Sequence, residues 1–364
     1  MARLPPFCLI GWLALCAGGE ISLPVTRFTD SVYSEAHDPA IWVNHADPGR
    51  SLIIATDSGA SPHGALAVFS LDGKMVQRLG PFDRLGQVDI AYGVRWGGRK
   101  VDLAICTERA LGSLRLFVIL SSRGGAFDIS GMRGPAVFEE PDAGGGITGA
   151  AGPASTQPTG IAVYTRPRDN AVFLMISRKS GPRDGYLWQY RMSRADGGFR
   201  LVKVREFGRF SGSGEIQAIA VDNELGYIYY ADEVAGIRKY PADPDAPHAN
   251  KELALFGRTE FAGRRKGIAI WKRKDGTGYI VCTDQIAGAS RFHLFRREGT
   301  WGRPHNHSKV VRTVTTALDS TNGIEITSTP LGALYPHGLF VAMNSKGRNF
   351  ALAPAEELVP QNQR

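Results

Sequence analysis

Cysteine is scarce in this chain of 364 residues. There are four, and Cys8 and Cys16 fall near the N-terminus. The other two, Cys106 and Cys282, sit in separate apolar runs. That excludes a disulfide framework and a cysteine metal cluster, and it reads as two small buried hydrophobes. Helical periodicity is missing, with no apolar three-and-four spacing sustained beyond a turn. After the N-terminus no apolar run is long enough to span a bilayer. There is no nucleophile elbow, no HExxH zinc motif and no GxxxxGK[ST] phosphate loop. Aromatics lie in apolar runs without the interleaved cations of a single-strand groove, so no nucleic-acid partner is expected. His305 and His307 lie in the stretch Pro304-His305-Asn306-His307, which reads as a solvated loop.

What the chain has is apolar mass and positive charge. Hydrophobic residues make up 43% and charged residues 21%, which suits a large core and excludes global disorder. The formal charge is +8, which favours anionic ligands. Residues 1–19 combine Arg3, an apolar run and a small-residue end, the layout of a secretory signal. Residues 20–364 are then one exported domain, periplasmic or extracellular, and a monomer is expected.

The sequence repeats itself. Asp38-Pro39-Ala40-Ile41-Trp42 opens a short β-prone run, and related starts recur at Val88-Asp89-Ile90, Thr159-Gly160-Ile161, Gln217-Ala218-Ile219, Lys266-Gly267-Ile268 and Asn322-Gly323-Ile324. Spacings of roughly 50 to 70 residues are those of propellers and solenoids. Small residues before the branched one leave room for a neighbouring backbone at a crowded axis. Each start is followed by further apolar runs separated by Gly, Asp and Asn, which read as antiparallel strands. Ala136-Val137-Phe138 reads as the fourth run of the second repeat. The fold expected is all-β, a six-bladed β-propeller. Its last repeat lacks a fourth run, and residues 21–28 supply that strand and close the ring. Residues 141–158 form a loop, and the tail after Pro354 frays.

Residues ending the second run of each repeat are equivalent, so they are expected at one mouth of the channel. They are Asp57, Glu108 with Arg109, Arg178 with Lys179, Asp232 with Glu233, Asp284, and Asn344. Mixed carboxylates and cations there suit a phosphate ligand, with or without a metal.

Several stretches then carry a resemblance. Asp38-Pro39-Ala40-Ile41-Trp42, Ala67 through Lys74, Val101-Asp102-Leu103-Ala104, Asp222 through Tyr229, Asn322-Gly323-Ile324-Glu325 and Tyr335 through Ala342 resemble, in order, the β-propeller phytases. The likeness runs from about residue 25 to 356. It implies calcium as cofactor and a phosphoric monoester hydrolase (3-phytase) acting on phytate at an acidic and basic mouth. It implies catalytic roles for Asp38, Arg109, Lys179 and Glu233. It also implies phosphate contacts from Arg109 and Lys179, and metal ligation by Asp38, Asp232 and Glu233.

Other positions depart from the family. Its lysine pair after the first blade's second strand is Ser58-Gly59, its tyrosine is Thr159, and its glutamate before the fourth blade is Gln217. An Asp-x-Glu pair becomes Arg264-Arg265-Lys266, and an acidic cluster keeps only Asp319. Three cations in place of two carboxylates repel a hard metal ion. They offer direct phosphate contacts from Arg264, Arg265 and Lys266 instead. Two readings follow, a phytase-like hydrolase and a catalytically weakened propeller that binds a polyphosphorylated or other anion. A hydrolase of another class, such as a lactonase, is a third, because propellers host many chemistries.

Overall fold

A computed structural model describes residues 21–25, 27–120, 124–139, 153–195 and 198–360. The proposed leader lies outside them, as does most of the loop expected at 141–158. Described residues form six antiparallel sheets arranged as blades around one axis. The first runs Ala36–Trp42, Leu52–Asp57, Gly64–Ser70, Met75–Phe82 from the axis outward. The innermost strands of the next five are Leu85–Trp96, Pro158–Thr165, Ile219–Asp222, Arg264–Lys272 and Ile324–Thr327. Their second strands are Arg99–Glu108, Val172–Arg178, Tyr227–Asp232, Gly278–Ile286 and Leu339–Asn344.

Middle strands are apolar on both faces because each blade is sandwiched between two others. In Leu52–Asp57, Leu52 and Ile54 pack on the second blade while Ile53 and Ala55 pack on the sixth. Six such cores, one per junction, encircle the axis. Their middle strands therefore read as continuous apolar runs rather than alternating ones.

Closure of the ring uses the N-terminal segment in two places. Arg27–Phe28 pairs antiparallel with Asn349–Pro354 as the outer strand of the sixth blade. Ile21–Ser22 lies one blade back, parallel to Val310–Thr316. The expected closing strand is thus present but split across a junction.

Three expectations need correction. The fourth strand of the second blade is Gly125–Asp128, paired with Ser113–Leu120, and Ala136 makes only an isolated bridge to Ser113. Gly125–Asp128 follows its partner strand sooner in sequence and pairs with it first, and Val137 and Phe138 fill the core between the second and third blades. Residues beyond Pro354 do not fray at once. Ala355–Leu358 is a helical turn whose Leu358, with Val359, is buried against the fifth and sixth blades. His307 is buried, its Nδ1 2.7 Å from the Arg296 carbonyl and its Nε2 3.1 Å from the Lys239 ammonium.

Cys106 and Cys282 are free and fully enclosed. Burial raises both thiols well above their ordinary range. Neither should react with iodoacetamide in the native protein, and both should be alkylated in guanidinium, as read by peptide mass spectrometry. Labelling of either in the native state at the unfolded rate would contradict this packing.

Candidate functional site

The upper face is where innermost strands begin and second strands end. At the last paired position of five second strands stand Asp57, Glu108, Arg178, Asp232 and Asn344, and Asp284 holds the equivalent position in the fifth blade, whose strand runs on to Ile286. The structure does not bring them together as a ligand set. The five other than Arg178 are turned under the loop that enters their own blade, where backbone N–H groups lack strand partners and need an acceptor. Asp57 accepts from the Ser34, Glu35 and Gly59 amides at 2.9, 2.8 and 3.2 Å. Glu108 accepts from the Asp83 amide at 2.9 Å and from Arg115 at 2.5 Å. Asp232 accepts from the Ser211 amide and hydroxyl at 2.8 and 2.6 Å and from Arg238 at 3.0 Å. Asp284 takes the Ala262 and Gly263 amides at 3.0 and 2.7 Å and Arg291 at 2.7 Å. Burial opposes charge on Asp284, but His293, those amides and Arg291 outweigh it and hold the carboxyl at about 2. Arg178 reverses the polarity and donates to the Gly185 and Tyr186 carbonyls. The five polar acceptors are clamps for loops, and Asp232 belongs with them rather than with a metal.

The next residue points the other way, as strand alternation requires. Arg109, Lys179 and Glu233 occupy this position. Arg109 Nε is buried with no partner. Lys179 is 40% exposed, its ammonium 3.8 Å from Glu215. Glu233 is buried and holds the Lys266 ammonium on Oε1, with Arg264 Nη1 3.4 Å from Oε2. Arg264 is 66% exposed and has reach to spare. Arg265 has none. Its guanidinium donates to the carbonyls of Gly257, Arg258, Glu233 and Val234 and lies 4.7 Å from the Phe261 ring centroid. The Arg-Arg-Lys run is strand, so its middle residue faces inward, and Arg265 does not serve a ligand.

Register also fixes what opens the innermost strands. Pro39, Val88, Ile161, Ile219, Ile268 and Ile324 all sit opposite the residue two before the clamp. Two residues earlier come His37, Gly86, Thr159, Gln217, Lys266 and Asn322. His37 is absent from the sequence-based set because a lone histidine before an acidic motif carries no spacing signal. It is buried, and burial first, then the charges of Arg109 and Lys266, push its pKa down to about 3. Gln217 donates its amide to Glu215 Oε2 at 2.6 Å and leaves Oε1 without a partner, as Asn322 leaves Oδ1.

Asp38 lies below this ring, within the channel. It accepts from the Val88 amide at 3.0 Å and so ties the first blade to the second. Burial, followed by repulsion from Glu325 and Asp89, raises its pKa well above the carboxylate range. Among the described residues no group of three or more His, Cys, Asp or Glu could hold a metal ion. Calcium wants six to eight oxygens, several of them anionic. Asp38 is disposed to be protonated, Asp232 is consumed by a loop, and Glu233 is neutralised by two cations. This donor set does not fit calcium.

The same channel holds a testable strain. Its wider part encloses about 510 Å³ lined by Asp38, Asp89, Glu325 and Lys272 among others. Burial and then the neighbouring Asp89 push Glu325 up to about 8. A raised folded-state pKa means its stabilising contribution is full below the unfolded value of 4.5 and is lost as pH rises toward 8. Glu325→Gln should therefore melt higher than the parent at pH 8, by roughly 2–6 °C, with the gap closing toward pH 5. Parallel melting profiles across that window would contradict the assignment.

The model of the Phytase family matches residues 22–352. A 3-phytase of Bacillus subtilis (strain 168) is 26% identical over 324 residues, covering 87% of this chain and 77% of that protein. A solved structure from Bacteroides thetaiotaomicron VPI-5482, described as a structural genomics protein of unknown function, covers 92% of this chain and 73% of its own. Its identity is 10% and its TM-score 0.48, and nothing is argued from it. The family match spans nearly all of the six blades, and the chain belongs to the Phytase family.

Proposed function

We propose that this protein is a phosphoric monoester hydrolase that acts on a polyphosphorylated anion, phytate or a close relative, at the upper mouth. The observation that carries the reading is the set of Arg109, Lys179, Arg264 and Lys266 around that mouth, with Glu233 the buried acid beneath them. Arg109 and Lys179 clamp the phosphate to be cleaved. Arg264, held to Glu233 only at 3.4 Å, turns out to meet a second phosphate of the same ligand. Glu233 fixes Lys266 in place, so that its charge faces the reacting group at a set depth. Phosphoryl transfer asks little covalent chemistry of a protein, and positioned positive charge provides most of what it needs. The proposed leader belongs to this reading, since it takes the enzyme outside the cytoplasm.

The test is orthophosphate release from phytate by the purified protein in buffer containing a chelator. Charged hydrogen bonds are worth about 1.5–3 kcal/mol each. Arg109→Ala and Lys179→Ala should each lower kcat/KM by roughly 10- to 100-fold. Arg265→Lys should act on thermal stability instead. Phytate binding without phosphate release would leave only the anion-binding alternative.

A further inference from the structure

One strained residue stands at the upper mouth, in the loop that enters the second blade. Arg84 takes the left-handed backbone conformation, with φ 58°. Glycine or asparagine adopts that conformation at lower cost. Two backbone hydrogen bonds hold Arg84 in it. Its amide donates to the Gly59 carbonyl at 3.0 Å, and its carbonyl accepts from the Arg109 amide at 3.1 Å. The strand register agrees, because Leu85 lies opposite Glu108 and the next step brings Arg84 opposite Arg109. Long side chains at facing positions are within reach of each other. The Arg84 side chain is 56% exposed, and its Nε lies 4.0 Å from Asp83 Oδ1. An ion pair that long and that open contributes little. Among the described residues no side-chain hydrogen bond holds the Arg84 guanidinium. Arg109 has a buried Nε with no partner. Like charges at facing positions repel, and an anion held between them turns that repulsion into attraction.

From this juxtaposition we propose that Arg84 and Arg109 close on a single phosphate group of the ligand. The inference rests on the phosphate reading of this mouth. A guanidinium fork matches phosphate oxygens two at a time, and two forks share the charge of a dianion. A phosphoric monoester offers three free oxygens to such a pair and a diester only two, so the pair selects monoesters. The bent backbone fits the same role. Residues in costly conformations persist where their surroundings hold them, and they cluster at ligand clamps.

Two variants test it, by calorimetry of phytate in a chelator and by competition with inorganic phosphate. Arg84→Gly removes the fork and suits the left-handed bend, so its melting temperature should stay within about 3 °C of the parent. It should weaken phytate and inorganic phosphate alike, each by roughly tenfold. Arg84→Lys keeps the charge without the fork and should weaken both by about threefold. Unchanged affinities in Arg84→Gly overturn the clamp. A loss for phytate alone also overturns it, because Arg84 then meets a different phosphate from Arg109. Where Arg84→Gly melts lower than expected, Arg84→Lys decides, and affinities equal to the parent's overturn the clamp. A parent that binds phytate and releases no orthophosphate overturns the hydrolase reading, and the Arg84 comparison still stands on binding. A parent that binds neither phytate nor inorganic phosphate overturns both.

Discussion

Six innermost strands must approach one axis without pairing to one another, and the rest of the structure follows from how that crowding is relieved. Where backbones come closest, there is no room for a side chain. A Cβ on Gly160 would lie 2.0 Å from the Gln217 carbonyl oxygen, and one on Gly323 would lie 2.7 Å from that of His37. Where the strands diverge, side chains of one blade satisfy the backbone of the next. Asp38 accepts from the Val88 amide and Asp89 from the Val163 amide. Thr56 donates to the Gly86 carbonyl, Thr107 to Thr159 and Ser177 to Ile216. Buried polar groups of this kind are tolerated because nearly every donor finds an acceptor.

That scaffold determines what the upper mouth can be. In five of the six second strands this position is spent on holding a loop, so the residue after it is the one turned toward the mouth. Arg109, Lys179 and Glu233 inherit the mouth for this reason. The openings of the innermost strands complete it with His37, Thr159, Gln217, Lys266 and Asn322. Only one of these five, Lys266, carries charge at neutral pH, and it is paired with Glu233. The mouth is therefore built of cations and neutral acceptors around one buried carboxylate, Glu233, that is paired with Lys266 and Arg264. Under the proposed function it would hold a phosphate through direct charged hydrogen bonds rather than through a hard metal ion.

Much of this could be read from the residues. The repeat starts gave six blades, because small-then-branched patterns are what a crowded axis selects. Arg109, Lys179, Glu233 and the Arg264-Arg265-Lys266 run were legible through family motifs. What was not legible depends on which way a side chain turns. Glu108 and Arg109 are neighbours in sequence and opposites in role, and only the strand register separates them. Arg265 looked like Arg264 until the strand placed it inward. His37 carried no signal, since nothing in its sequence neighbourhood shows that its ring is buried. Ala136-Val137-Phe138 was apolar enough for a strand, but Gly125–Asp128 follows its partner by the shorter connection and pairs first.

The central claim is that protein cations, without calcium, hold a polyphosphate at this mouth. Isothermal titration calorimetry of phytate in the presence of a chelator tests it most directly, repeated after calcium is restored. The account predicts saturable one-to-one binding in the chelator, with an affinity that calcium leaves within about threefold and that weakens steeply with salt. Binding that is absent in the chelator and appears only with calcium would contradict it.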